Sequence, residues 1–142
     1  MKTQATKYFV LLFAVLFVGL TGCTKYAIKN RALVLAVEKY DSEVQDTAKA
    51  QFVDKEQQKV FVDFAKLNTK LDVESIDIKS DTEATAQLKI TTFPKTLVPE
   101  LAGISGKDWK SKVDAAMETK SYTLKLQKAD GSWKLIEQTE NK

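Results

Sequence analysis

The hydrophobic period of this chain changes near Asn68, and that change decides what it can fold into. Before it, apolar residues recur near the 3.6-residue helical turn; after it, they alternate with polar ones at the two-residue period of a strand. A chain that spends its helical pattern first and its strand pattern second builds an α+β domain, with helices grouped on an antiparallel sheet.

Two helical stretches precede the change. From Tyr26 to Tyr40 the residues Ile28, Ala32, Leu35, Ala36 and Val37 fall close to one face, although the run Arg31–Val37 also fits a short strand. Between Asp46 and Leu67 a longer stripe passes through Ala50, Val53, Val60, Phe61, Phe64 and Leu67, with no Gly or Pro inside it. It predicts one helix over 46–67, ended by Asn68-Thr69.

The strand pattern then forms two pairs. Leu71, Val73, Ile76 and Ile78 alternate with polar residues, with a slip of phase at Ser75 that predicts a bulge. Ala84, Ala86, Leu88, Ile90 and Thr92 follow across the turn Ser80-Asp81-Thr82, predicting a hairpin. The second pair is Tyr122, Leu124 and Leu126 against Trp133 and Leu135, joined at Asp130-Gly131, a dipeptide suited to a tight hairpin turn. Between the hairpins, Pro94 to Gly106 reads as irregular. Ser105 then predicts a helix through Glu118, with Asp108 in a capping box and Trp109, Val113 and Met117 on one face, packed over an edge or mouth of the sheet.

The N-terminus carries a different signal. Lys2 and Lys7 precede an uncharged run of 13 residues, Tyr8 to Leu20. Spanning a bilayer core takes about 20 apolar residues, so the run predicts a secretory leader over 1–22. It ends in Leu20-Thr21-Gly22-Cys23, which resembles the lipobox of bacterial lipoprotein precursors. That resemblance implies cleavage before Cys23 and attachment of lipid to its thiol. Cys23 is the single cysteine, so it has no internal disulfide partner. Several acyl chains would hold the protein stably to a membrane. In that family an Asp after the cysteine favours the inner membrane; Thr24 stands there, which implies the outer membrane, facing the periplasm, in a Gram-negative cell.

Without the leader, 20 basic residues face 19 acidic ones, and they are interspersed. No basic stripe suits a phosphate backbone, which argues against nucleic acid as a partner. The 120 residues from Cys23 onward suit one domain, 23–142.

Histidine is absent, removing the usual neutral-pH base and the commonest metal ligand. Gly103-Ile104-Ser105-Gly106 lacks the spacing and lysine of a phosphate-binding loop. No catalytic, metal or cofactor residues are therefore assigned. Asp41/Glu43 and Asp72/Glu74 are carboxylate pairs better read as solvated charge. Phe61, Phe64, Trp109, Tyr122 and Trp133 are the candidate pocket lining, set against the plainer reading that they are core. Tyr122 stands out because a buried phenol requires a partner.

The order of helices then sheet, closed by the Lys128-Ala129-Asp130-Gly131-Ser132-Trp133-Lys134 hairpin, resembles small bacterial lipoproteins with an NTF2-like (cystatin-like) domain. The resemblance implies helices on a curved four-stranded antiparallel sheet around a conical pocket, with a helical insert between the hairpins. The leading functional expectation is a non-enzymatic, membrane-anchored binding or assembly module of the cell envelope with a protein partner. The alternatives are a pocket that binds or isomerises a small apolar ligand, and a structural envelope protein.

Overall fold

The computed structural model describes residues 24–142. The leader 1–22 and Cys23 lie outside the described residues.

Helix α1 (Lys2–Gln51) and helix α2 (Lys55–Leu67) come first. Strands β1 (Lys70–Ile78) and β2 (Glu83–Thr92) follow, then short helices α3 (Val98–Ala102) and α4 (Trp109–Ala116), and finally β3 (Glu118–Ala129) and β4 (Ser132–Glu140). The four strands form one open antiparallel sheet in the order β1-β2-β3-β4. The fold is α+β, with helices before the sheet and a helical insert between its two hairpins.

Helix α1 is one unbroken element across Tyr26–Tyr40, so the strand reading of Arg31–Val37 falls. The stripe Ile28, Ala32 and Ala36 is buried against the sheet, sharing a core with Val73, Ala84, Ala86, Leu88, Leu124 and Leu126. The helix backbone approaches the sheet most closely at its outer strands, β1 and β4.

The helix expected over 46–67 is two helices. Helix α1 stops at Gln51, and Asp54, in extended backbone at φ −80° and ψ 129°, caps α2 by accepting from the Glu56 N–H at 3.1 Å. The Gln58 amide also donates to the Phe52 carbonyl at 2.7 Å, satisfying a group the break would orphan. Val53 sits in the break and is fully exposed; Val60 and Leu67 also face solvent. The buried stripe is Phe52, Phe61 and Ala65, one that a single-helix phase conceals.

A second core gathers Val44, Ala48 and Phe52 of α1 and its exit, Phe61 and Ala65 of α2, Phe93, and Val98, Leu101, Trp109 and Val113 of the insert. The insert thus packs on the helix pair past the end of β2, rather than over a sheet edge or mouth. Its helix is also shorter than expected. Residues Gly106–Asp108 form a 3-10 turn, α4 ends at Ala116, and Glu118 already belongs to β3. Ser105 makes no side-chain cap bond, so the capping box does not form.

The hairpins follow the pattern read from the chain. β1 pairs with β2 from Lys70↔Thr91 to Ile78↔Ala84, with the extra residue at Glu74, one position before Ser75. β3 pairs with β4 through Ala129↔Ser132, and the register shifts so that Ile136 is extra. Both bulges thus lie on the outer strands, and the β2–β3 ladder has none. At the tip, Asp130 (φ 53°) and Gly131 (φ 79°) are both left-handed, the requirement of a type I′ turn. Gly131→Val places a β-branched residue there and is expected to cost about 1–2 kcal/mol. Asp130→Asn should stay within about 0.5 kcal/mol. Urea unfolding of both variants measures the difference.

Candidate functional site

The two cores meet at Tyr40. It lies on α1 between the alanine stripe and Val44, and its half-buried ring points its hydroxyl at the C-terminal end of α2. That hydroxyl contacts the Ala65 carbonyl at 3.3 Å and Thr69 Oγ1 at 2.6 Å, and Thr69 Oγ1 contacts Thr92 Oγ1 at 2.7 Å. A carbonyl only accepts and each hydroxyl has one proton to give. Tyr40 therefore donates to Ala65, Thr69 to Tyr40, and Thr92 to Thr69. This chain ties α1, α2 and the adjacent ends of β1 and β2. Burial pushes the Tyr40 phenol above the ordinary tyrosine pKa, and the threonine hydroxyls offset this only in part.

One turn further along α1, Glu43 pairs with Lys39 and, at 3.2 Å, with Lys95 after β2. Burial pushes its carboxyl up, but the two ammonium groups outweigh that and hold it below the ordinary carboxylate value. It is a fixed anion, poorly suited to carry a proton at neutral pH. Tyr40, Glu43, Thr92, Phe93, Lys95 and Val98 are among the residues around a cavity of about 60 Å³. That admits a few water molecules, whereas pockets for drug-sized ligands run from about 300 to 1,000 Å³.

The five aromatic candidates divide between the cores. Phe61, Phe64 and Trp109 pack together, with ring centroids 5.9 Å apart for Phe61–Trp109 and 5.4 Å for Phe64–Trp109. Phe52 and Phe93 complete the cluster, and the Trp109 indole donates to the Leu101 carbonyl at 2.8 Å. Of the five, Phe61 alone touches the small cavity. Tyr122 and Trp133 instead flank the sheet core. The structure places Phe61, Phe64 and Trp109 against one core and Tyr122 and Trp133 against the other. The phenol with buried partners is Tyr40, not Tyr122; the signal for it, Thr69 and Thr92 closing on one tyrosine, is spread too far along the chain to read.

The carboxylate pairs are surface charge. Asp41 meets Lys66 at 3.2 Å and Glu74 meets Lys89 at 2.6 Å. Among the described residues no cluster of three or more His, Cys, Asp or Glu could hold a metal, and no helix is long and apolar enough to cross a membrane.

A further hollow is on the outside. A shallow groove of about 420 Å³ runs between α1 and β1, floored by Leu33, Val37 and Leu71 and rimmed by Asp41, Lys66 and Lys70. Val34 beside it is 45 % exposed and Leu67 is 86 % exposed. No family model, curated protein or solved structure matches the chain.

Tyr40→Phe is expected to lower stability by about 1 kcal/mol at neutral pH. A phenol whose folded pKa is raised contributes fully below the ordinary value of about 10 and loses that contribution as pH climbs through the folded value. The stability gap between wild type and Tyr40→Phe should therefore close above about pH 10. Glu43 behaves oppositely. Its contribution is present above the ordinary carboxylate range and lost as pH falls, so Glu43→Gln should flatten the acid limb by a few tenths of a kcal/mol, the scale of a half-exposed ion pair. Denaturant titrations across pH measure both. Phe61→Ala, which hollows the aromatic core, should cost about 3–5 kcal/mol.

Proposed function

We propose that the chain is a lipid-anchored cell-envelope protein whose single domain is a non-enzymatic binding or assembly module. The observation that carries the module reading is how the interior is filled. Helix α1 occupies the sheet face, aromatic rings occupy the second core, and the cavity beside that second core measures only about 60 Å³. What remains for recognition is surface, chiefly the apolar groove between α1 and β1.

Support for the anchor comes from the sequence: a basic start, an apolar run too short to span, and Leu20-Thr21-Gly22-Cys23. Support for an NTF2-like relationship is element order, helices before an antiparallel sheet with a helical insert. The face on which that family leaves a cone is occupied here by Ile28, Ala32 and Ala36, which favours surface recognition over an enclosed apolar ligand.

Two measurements test the reading. Wild type should carry the mass of attached lipid and partition into detergent, and Cys23→Ser should carry none and remain aqueous. A Cys23→Ser protein that partitions like a wild type of unmodified mass would overturn the anchor. A photo-crosslinking residue at Val37 should give a discrete adduct in intact envelopes, lost on Leu71→Asp; no adduct under any growth condition would sink the module reading.

A further inference from the structure

Helix α1 has a direction relative to the sheet. Tyr40 lies by Thr69 and Thr92, where β1 begins and β2 ends, while the Arg31 Nε donates to the Trp133 carbonyl at 3.2 Å, beside the turn of the β3–β4 hairpin. The β1–β2 turn is at that same end, since the Lys128 N–H donates to the Thr82 carbonyl at 2.8 Å. Residues preceding Arg31 therefore run toward and past both hairpin tips, at about 1.5 Å per residue. The first described residue, Thr24, is seven positions before Arg31, so the end of α1 next to Cys23 in the chain lies on the hairpin-tip side of the domain.

That end has a distinctive charge. Lys25, Lys29, Lys128 and Lys134 are exposed there, and neither they nor Arg31 has a carboxylate partner among the described residues. Lys79 is also present but is paired with Asp77. The opposing acids at this end are Asp81, Glu83 and Asp130. Five unpaired cations against three unpaired carboxylates leave the tip end positive. At the helical-insert end Lys95, Lys110, Lys112 and Lys120 each meet a carboxylate, whereas Lys70 and Lys107 do not.

We propose that the hairpin-tip end, built from Lys25, Lys29, Arg31, Lys128 and Lys134, is a docking surface for anionic lipid headgroups of the bilayer that holds the anchor. The inference rests on the reading of Cys23 as lipidated. Basic residues beside an anionic bilayer are attracted within about a Debye length, roughly 10 Å at 0.1 M salt. A tethered domain samples the surface at high effective concentration, so a modest net charge suffices to set its orientation. The tips then face the headgroups, and the α1–β1 groove is presented sideways.

The test uses the full lipidated protein with Ser132→Cys at the start of β4, beside the β3–β4 turn, labelled with a thiol-reactive fluorophore. A lipidated Cys23 is a thioether and takes no dye, so one dye per chain reports an intact anchor. The protein is incorporated into vesicles of phosphatidylcholine alone, or with about 30 mol % phosphatidylglycerol, each carrying a headgroup quencher. Quenching at position 132 should be at least twofold greater on the anionic vesicles and fall to the neutral level in about 0.5 M salt. The double variant Lys128→Glu/Lys134→Glu, remote in sequence from the processing site, should lose the difference while still floating with vesicles. A label at Ser105→Cys, in the insert, should show no dependence on lipid charge. With one dye per chain, equal quenching on both vesicle types, or a difference that survives charge reversal, overturns the docking surface alone. Two dyes per chain of Ser132→Cys and failure to float overturn the anchor, and the docking surface with it.

Discussion

The close approach of α1 to the sheet governs the rest of the molecule. Ile28, Ala32 and Ala36 on the helix meet Ala84, Ala86 and Leu88 on β2 in one buried cluster. The helix backbone comes closest to the outer strands β1 and β4. Protein interiors behave as close-packed solids, in which the position of one element fixes its neighbours. The same helix then runs on to supply Val44, Ala48 and Phe52 to the second core. One rigid rod thus aligns a sheet layer and a helical layer that share few other contacts.

Where the layers meet, packing gives way to polar bonding. The chain from Thr92 through Thr69 and Tyr40 to Ala65 crosses the boundary with each proton used once. Burying three hydroxyls is favourable only because each finds a partner, since an orphaned one costs about 1–3 kcal/mol. The junction is therefore specific in geometry. Glu43 with Lys39 and Lys95 adds an ionic clasp at the rim, weaker because solvent reaches it.

The sheet was legible from the chain because its signals are local: alternation in Ala84–Thr92, and Asp130-Gly131 with both backbone angles in the left-handed region. The fold class followed from the order of the two periods. The helix break at Phe52–Asp54 was less legible, since Val53 and Val60 continue a plausible stripe and only Asp54 marks a new cap. Burial corrected the phase: Phe52 turns inward and Val53 outward. The five aromatics are alike in composition, and nothing local separates a pocket wall from a core. Which of them meet is decided by the path of the insert, a long-range matter. Tyr40 was invisible for the same reason, its partners Ala65 and Thr69 lying 25 and 29 residues away.

Both outer strands carry an extra residue, Glu74 on β1 and Ile136 on β4, and the inner ladder carries none. A bulge interrupts the regular row of backbone donors and acceptors that an approaching strand would need. The sheet is thereby terminated at four strands on either side. When copies of this domain meet edge to edge, this is resistance to polymerisation. Neighbouring molecules can touch through side chains yet find no continuous strand edge to extend, so they remain separate domains.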